Sequence, residues 1–165
     1  MKEDSEYNII FDDDNANEAC DIIAIKSYES EYPKLVFELY HCKYSSKELP
    51  GGRLKDLYEV CGQAQRSYHW KQNPVGLIEH MIRRDGTRIK QGNPSRFEKG
   101  GDSELLVISN MLKSSYCDIE FNIYIVQPGI EKNKLYNDSE LLTLLGATDL
   151  LLKKTGNEFY LITNE

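Results

Sequence analysis

Three residues able to bind a metal ion or to activate water fall on two neighbouring β-strand patterns. Asp21 lies in the small, apolar run of residues 19–25, and His41 and Lys43 end the run of residues 34–43. Because side chains alternate across a strand, His41 and Lys43 share one face, which is apolar over the positions before them. An unpaired buried carboxylate is costly, so Asp21 needs a partner. We expect that partner to be a metal ion or Lys43, at the rim of a site.

The elements that position these residues follow from the hydrophobic pattern. Strands are predicted at residues 7–11, 19–27 and 34–43, in a three-stranded meander with a turn at 12–15 and a hairpin loop at 28–33. Residues 49–52 break the chain, and a helix begins near Arg53. Its predicted buried face comprises Leu54, Leu57, Tyr58, Cys61, Ala64, Gln65 and Tyr68.

The second half of the chain alternates helices with strands. We predict a short helix at residues 74–84, with Ile82 buried and His80 on its surface, followed by a mobile basic loop at 85–101. Asp102 and Ser103 cap a helix whose buried residues include Leu106, and a strand at 119–126 ends at Pro128. A last helix begins at residue 138 or 139 and stops at residue 146, before a hairpin of residues 148–153 and 159–163.

These elements predict a mixed α/β fold, with a single central mixed β-sheet flanked by helices. At 165 residues the chain is expected to form one domain, residues 1–165, with residues 1–6 frayed.

The order of these features resembles the PD-(D/E)XK nuclease superfamily, which has the restriction-endonuclease-like fold. The shared features are a strand with Asp21, a short loop, a strand ending in Lys43 and a helix rich in Gln. The resemblance places Asp21 on the family's metal-binding aspartate and Lys43 on its lysine. His41 stands where the family has Asp or Glu, so this chain departs from the pattern with H-x-K.

The resemblance implies a metal-dependent DNA endonuclease. Phosphodiester hydrolysis needs a metal ion that neutralises phosphate charge and lowers the pKa of the attacking water. The implied ligands of Mg²⁺ or Mn²⁺ are Asp21, the backbone carbonyl of Cys42, and His41, a softer ligand that suits Mn²⁺. Lys43 would hold the water or the developing negative charge, and His41 is alternatively a base.

Further site candidates lie on the following helix and on the acidic turn. The family packs this helix beside the active site, which makes Glu59 a candidate displaced acid and Gln63 and Gln65 candidate contacts to phosphate or metal-bound water. An exposed helix face is the alternative. The carboxylates at residues 12–14 are predicted to form a solvated turn, although one of them, or Glu18, could face the metal.

The charge distribution indicates where DNA would bind. The net charge is −7, yet residues 71–101 hold seven bases against three acids. A locally positive surface can neutralise phosphates on an acidic protein. The candidate nucleic-acid contacts are Arg83, Arg84, Arg88, Lys90 and Arg96, with a solvated face as the alternative.

Segments such as ELYHCKYS and GQAQRSYHW resemble, more loosely, the C-terminal region of bacterial DEAD/DEAH helicases linked to phage defence. This resemblance implies a helicase domain or subunit as a partner. The other expected partners are DNA and a second copy of the chain in a homodimer. Without an apolar run that would span a membrane or a secretion signal, the chain is expected to be cytoplasmic. The four cysteines lack C-x-x-C spacing and are expected to be free thiols.

Two other classes of function stay open beside the nuclease. One is a nuclease fold with a degraded site that binds DNA or protein, which the loss of an acid at His41 favours. The other is an interaction domain in which Asp21 and Lys43 form a buried ion pair. The sequence lacks a Ser-His-Asp arrangement, a phosphate-binding glycine loop and a dinucleotide fingerprint.

Overall fold

One six-stranded mixed β-sheet organises the chain in the computed structural model, which describes residues 6–43, 54–113 and 116–164. The strands are β1 (Ile9–Asp12), β2 (Ile22–Tyr28), β3 (Lys34–Cys42), β4 (Phe97–Lys99), β5 (Asp118–Glu131) and β6 (Glu158–Asn164). Their order is β4-β1-β2-β3-β5-β6. The first three form the predicted antiparallel meander, and β5 and β6 continue the sheet parallel to β3. The predicted mixed α/β class, with one sheet flanked by helices, is confirmed.

Five α-helices and a 3₁₀ turn are present in the described part of the chain. The helices are α1 (Leu54–Arg66), α2 (Pro74–Lys90), α3 (Asp102–Leu112), α4 (Lys132–Tyr136) and α5 (Ser139–Lys154), and the 3₁₀ turn is Ser67–Gln72. Local signals explain two of their starts. The Asn73 side chain accepts the Gly76 N–H at 3.0 Å ahead of Pro74, and the Asp138 side chain accepts the Glu140 N–H at 3.0 Å.

Strand alternation divides the buried apolar side chains into two clusters, one on each face of the sheet. On β3, Leu35, Phe37 and Leu39 belong to the large cluster, which also receives the buried residues of the helices, whereas Tyr40 belongs to the small one. The ring of Phe37 stacks on Phe121 of β5 with centroids 4.6 Å apart. The face that ends in His41 is therefore the face on which the helices pack.

Residues 85–101 contain the end of a helix and a short strand, so the prediction of one long mobile loop is wrong. Helix α2 continues to Lys90, and β4 adds an edge strand beside β1. The physical reason is Asp85, a buried carboxylate that accepts the Ser95 hydroxyl at 2.8 Å and the Arg96 N–H at 2.7 Å. This contact ties the connection back onto the helix.

The predicted ends of two later elements are also wrong. Strand β5 runs through Pro128 because the proline lies where the β5–β6 register shifts, so that its missing N–H interrupts no regular pairing. Helix α5 runs through Gly146, which is exposed and costs only about 1 kcal/mol there. Residues 148–153 are thus helical, and β6 pairs parallel with β5 instead of closing a hairpin.

Several smaller predictions need correction as well. Gly101, not Asp102 or Ser103, is the N-cap of α3, and Asp21 precedes β2 by one residue. Exposed side chains that were predicted to be buried are Leu54, Tyr58, Tyr68, Ile82 and Leu106. The predicted break at residues 49–52, the helix start near Arg53 and the frayed residues 1–5 lie outside the described residues.

The four cysteines are free, as predicted. None of the helices in the described part of the chain combines the length and the apolar character needed to span a bilayer.

Replacing Asp85 tests the ordered connection. Asp85→Ala leaves the Ser95 hydroxyl and the buried Arg96 N–H without their acceptor, so the free energy of unfolding should fall by about 1–3 kcal/mol. Urea denaturation measures the change. The matched control is Glu79→Ala, an exposed carboxylate on the same helix, which should change stability by less than about 0.5 kcal/mol. Equal effects of the two substitutions would contradict the anchoring role of Asp85.

Candidate functional site

Three carboxylates converge at the loop between β1 and β2. One carboxylate oxygen from each of Asp14, Glu18 and Asp21 lies within 4.8 Å of the others. The loop reaches this shape through positive φ angles of 152° at Asn15 and 64° at Asn17, a region that Asn tolerates better than most residues. The Asn15 N–H also donates to the Glu18 carboxylate at 2.9 Å. We call Asp14, Glu18 and Asp21 the carboxylate group.

The pairing of β2 with β3 fixes the position of Asp21. Its backbone N–H donates to the Tyr40 carbonyl at 3.0 Å, and its carboxylate accepts the Cys42 N–H at 2.7 Å. Burial raises the pKa of Asp21 above its usual range, and the charges of Glu18 and Asp14 raise it further against the effect of the Cys42 hydrogen bond. A cation among the three oxygens would relieve both costs. Carboxylates suit hard ions such as Mg²⁺ and also Mn²⁺.

His41 does not join the carboxylate group. The residue is 2% exposed, and its Nε2 lies 2.9 Å from the Ser67 hydroxyl oxygen. The Ser67 hydroxyl can donate to the Ala19 carbonyl at 2.9 Å or to the Gln63 carbonyl at 3.4 Å, and this favours the tautomer in which the His41 Nε2–H donates to Ser67. His41 Nδ1 is then a buried acceptor without a partner among the described residues. The predicted metal ligand thus lies apart from the three converging carboxylates and lines a neighbouring cleft.

The charge state of His41 agrees with this geometry. Burial, and to a smaller extent the charge of Arg66, lowers its pKa to about 4. The imidazole is therefore neutral at pH 7.

Lys43 pairs with the candidate displaced acid. Its ammonium lies 2.8 Å from the Glu59 carboxylate, and its backbone N–H donates to Val126 at 3.0 Å. The hydrogen bond from Lys43 lowers the pKa of Glu59. Within the described ranges, the ion pair of Lys43 is with Glu59 and not with Asp21. Only the backbone links Lys43 to Asp21, since Lys43 follows Cys42, whose N–H binds the Asp21 carboxylate.

The two candidate glutamines of α1, Gln63 and Gln65, lie in different environments. Gln63 lines a cleft of about 220 Å³ together with Glu18, His41, Arg66 and Trp70, among others. The Gln65 amide instead donates to the Thr148 hydroxyl of α5 at 2.9 Å, so it joins two helices and does not reach the cleft. Gln63 is thus the glutamine that remains a candidate contact.

Sequence reasoning missed the buried carboxylate of Asp13, which was predicted to lie in a solvated turn. Asp13 is 0% exposed and accepts the Ala19 N–H at 2.7 Å and His80 Nε2 at 2.8 Å, and it is ion-paired with Arg84. The prediction that His80 lies on the helix surface is also wrong. A signal was available, since His80 follows Leu77 by three residues and therefore shares its buried side of α2.

Four of the five predicted nucleic-acid contacts line one pocket. This arginine pocket has a volume of about 370 Å³ and is lined by Asn15, Ala16, Arg83, Arg84, Thr87, Arg88, Gln91, Asn93 and Arg96. Lys90 is exposed and does not line it. Arg84 donates to the Ala16 carbonyl and Arg96 to the Asp12 carbonyl, each at 2.8 Å. The loop that carries the carboxylate group therefore also forms one wall of the arginine pocket.

Comparison with protein-family models, with curated proteins and with solved structures finds no match for this chain. The geometry of the site and the sequence pattern therefore carry the functional interpretation.

The depressed pKa of His41 predicts a pH dependence of stability. In the unfolded chain His41 takes up a proton near pH 6.5, but in the folded protein it does so only near pH 4. The free energy of unfolding should therefore decrease as the pH is lowered from 6.5 to 4. His41 alone should account for a loss of about 2 kcal/mol from pH 7 to pH 5.

Urea denaturation of His41→Gln at both pH values measures this contribution, because Gln can still donate to Ser67 but does not titrate. The variant should be less sensitive to pH than the wild type, whereas the exposed His69→Gln should keep the wild-type dependence. A His41→Gln protein with the full pH dependence would contradict a neutral, buried His41.

Proposed function

We propose that this chain is a metal-dependent nuclease-like domain that hydrolyses DNA phosphodiester bonds. The observation that carries the proposal is the convergence of Asp14, Glu18 and Asp21 within 4.8 Å, at the start of β2 and beside the end of β3. Three oxygen ligands from one loop and one strand end offer more than the one or two carboxylates on which Mg²⁺ is usually held.

The residues around the carboxylate group support hydrolysis. A bound Mg²⁺ or Mn²⁺ would lower the pKa of a water molecule and neutralise charge on the scissile phosphate. Asp21, held by the Cys42 N–H, would orient that ion relative to β3. Lys43 would turn from Glu59 towards the negative charge that develops when water attacks phosphorus and the bond to the sugar oxygen breaks. Neutral, buried His41 is not assigned a proton transfer.

The arginine pocket supports DNA as the substrate. It shares Asn15 and Ala16 with the depression around Asp14 and Glu18, so a strand bound there could reach the carboxylate group. This local positive charge offsets the repulsion between DNA and a chain of net charge −7.

The partners in this proposal are DNA and a helicase domain or subunit, in a system of phage defence. The support for the helicase is the looser resemblance of ELYHCKYS and GQAQRSYHW to helicase C-terminal regions.

A second candidate is a catalytically degraded nuclease fold that serves as a DNA- or protein-binding module. The contacts of both H-x-K residues favour this second candidate, because His41 is hydrogen-bonded to Ser67 and Lys43 is ion-paired with Glu59. Such a protein would keep the arginine pocket but need no metal ion.

Cleavage assays distinguish the two candidates. Supercoiled plasmid and single-stranded DNA should be cut in Mg²⁺ or Mn²⁺ but not in EDTA. Asp21→Asn should lower the rate on the order of 100-fold by weakening the charge that holds the metal. The matched control, Glu31→Gln, removes an exposed carboxylate from the loop between β2 and β3 and should leave cleavage unchanged. Binding of DNA without cleavage in either metal would support the binding module instead.

Direct metal binding gives a readout that is independent of cleavage. Because the pKa of Asp21 is raised, protons compete with the ion, and Mn²⁺ affinity measured by electron paramagnetic resonance should fall as the pH is lowered from 7 to 5. Asp21→Asn should weaken Mn²⁺ binding, whereas His41→Gln should not. An unchanged affinity in Asp21→Asn would remove the carboxylate group as the metal site.

A further inference from the structure

We propose that the arginine pocket binds a terminal phosphate monoester of a nucleic-acid strand. This inference rests on the proposed function, because it names the end of the substrate, but its test does not require cleavage. It differs from general attraction to a DNA backbone, for which an open basic surface would be enough.

The guanidinium groups that line the pocket outnumber the carboxylates that form ion pairs with them. Four guanidinium groups line it, and its lining residues include no carboxylate. Asp13 pairs with Arg84, which leaves the charges of Arg83, Arg88 and Arg96 without an ion pair among the described residues. Like charges held close together repel each other, and the repulsion grows as they are withdrawn from water. An anion in the pocket would remove this cost.

Arg96 is the most telling member of the set. Arg96 is only 7% exposed, and its Nη1 donates to the carbonyls of Asp12 and Asp14 at 2.8 and 3.3 Å. Its Nε is buried and has no hydrogen-bond partner within the described ranges. Because the Nε atom is closed to solvent, a ligand would not bind it directly, but an anion held by the rest of the pocket would offset the cost of burying the Arg96 charge.

The electrostatics of Arg96 support the same conclusion. Burial, followed by the charges of Arg84 and Arg88, lowers its pKa below the ordinary value, against the smaller opposing effects of Asp12 and Asp13. A phosphate placed among these groups would reverse the second effect.

The remaining donors suit a phosphate group. Arg88 uses Nε for the Pro94 carbonyl at 2.9 Å, which leaves its terminal nitrogens available, and Arg83 is exposed at the rim. Arginine binds phosphate oxygens through pairs of parallel N–H bonds, and Gln91 and Asn93 add amide donors.

A terminal phosphate fits better than an internal phosphodiester. A phosphate monoester carries a charge of about −1.5 to −2 at pH 7 and three acceptor oxygens, whereas a diester carries one negative charge. The pocket lies between α2 and the wall formed by Asn15 and Ala16. A strand end can enter such a concavity, but a strand that continues on both sides of the phosphate has to pass over it.

Fluorescence anisotropy tests the proposal with single-stranded oligonucleotides of one sequence that carry a 5′-phosphate, a 3′-phosphate or hydroxyl groups only. EDTA is present throughout to prevent cleavage. One of the phosphorylated strands should bind about ten-fold or more tightly than the hydroxyl strand, and inorganic phosphate should abolish the difference at constant ionic strength. Equal affinities of the three strands would overturn the proposal, even if inorganic phosphate itself binds.

Two variants locate the preference. Arg88→Gln should abolish the advantage of the phosphorylated strand. The matched control, Lys90→Gln, removes one positive charge from the same end of α2 outside the pocket and should weaken all three strands equally. Arg84 and Arg96 are left intact because they anchor the loop. An Arg88→Gln protein that behaves like Lys90→Gln would overturn the proposal.

Covalently closed plasmid separates this inference from the proposed function, since it has no strand ends. Cleavage of the plasmid in Mg²⁺ or Mn²⁺ without a preference for phosphorylated strands would reject the pocket and retain the nuclease. A phosphate preference that Arg88→Gln abolishes, in a protein that cuts neither plasmid nor single strands, would retain the pocket and reject the nuclease.

Discussion

The buried carboxylate of Asp13 is the contact on which both candidate sites depend. It accepts the Ala19 N–H and His80 Nε2, and it pairs with Arg84, so it joins the loop between β1 and β2 to helix α2. Removing a carboxylate from water costs several kcal/mol, which such donors must offset. The loop held in this way presents Asp14 and Glu18 on one side and the Ala16 wall of the arginine pocket on the other. An acidic site and a basic site can therefore lie side by side without collapsing into ion pairs.

The strand geometry adds the second constraint. Pairing of β2 with β3 brings Asp21 to the Cys42 N–H. This hydrogen bond fixes the Asp21 carboxylate at the rim of the sheet independently of the conformation of the loop between β1 and β2. The loop contributes two of the three carboxylates and the sheet contributes the third. A metal ion bound among them would join a short, turn-rich segment to the rigid sheet, so we expect metal binding to stabilise the loop as well as to position the ion.

The sequence predicts best where a regular period governs a whole element. Alternation along residues 34–43 placed His41 and Lys43 at the end of a buried strand, and the meander followed from three such runs. Prediction from the sequence fails where a single contact between residues far apart in the chain determines the local structure. The Asp85 carboxylate binds the Arg96 N–H, and the Asp13 carboxylate binds His80, 67 residues away along the chain. No local pattern predicts either pairing, although the helical spacing does place His80 on the buried side of α2. At Gly146 and Pro128 a local signal to stop was present, but packing and a register shift overrode it.

The position of His41 bears on whether the H-x-K pattern reflects a lost or a relocated acid. The side chain points towards the 3₁₀ turn that follows α1, where it meets the Ser67 hydroxyl oxygen, which itself donates to the Ala19 carbonyl. A buried carboxylate at this position would have to draw the Ser67 proton away from the Ala19 carbonyl, whereas a neutral imidazole donates its Nε2–H to Ser67 and leaves that bond intact. The environment of residue 41 thus favours histidine over an acid. The acids that such a site requires can come instead from Asp14 and Glu18, which approach Asp21 from the loop. On this basis, replacing His41 with glutamate would introduce a buried charge and would not rebuild a metal ligand.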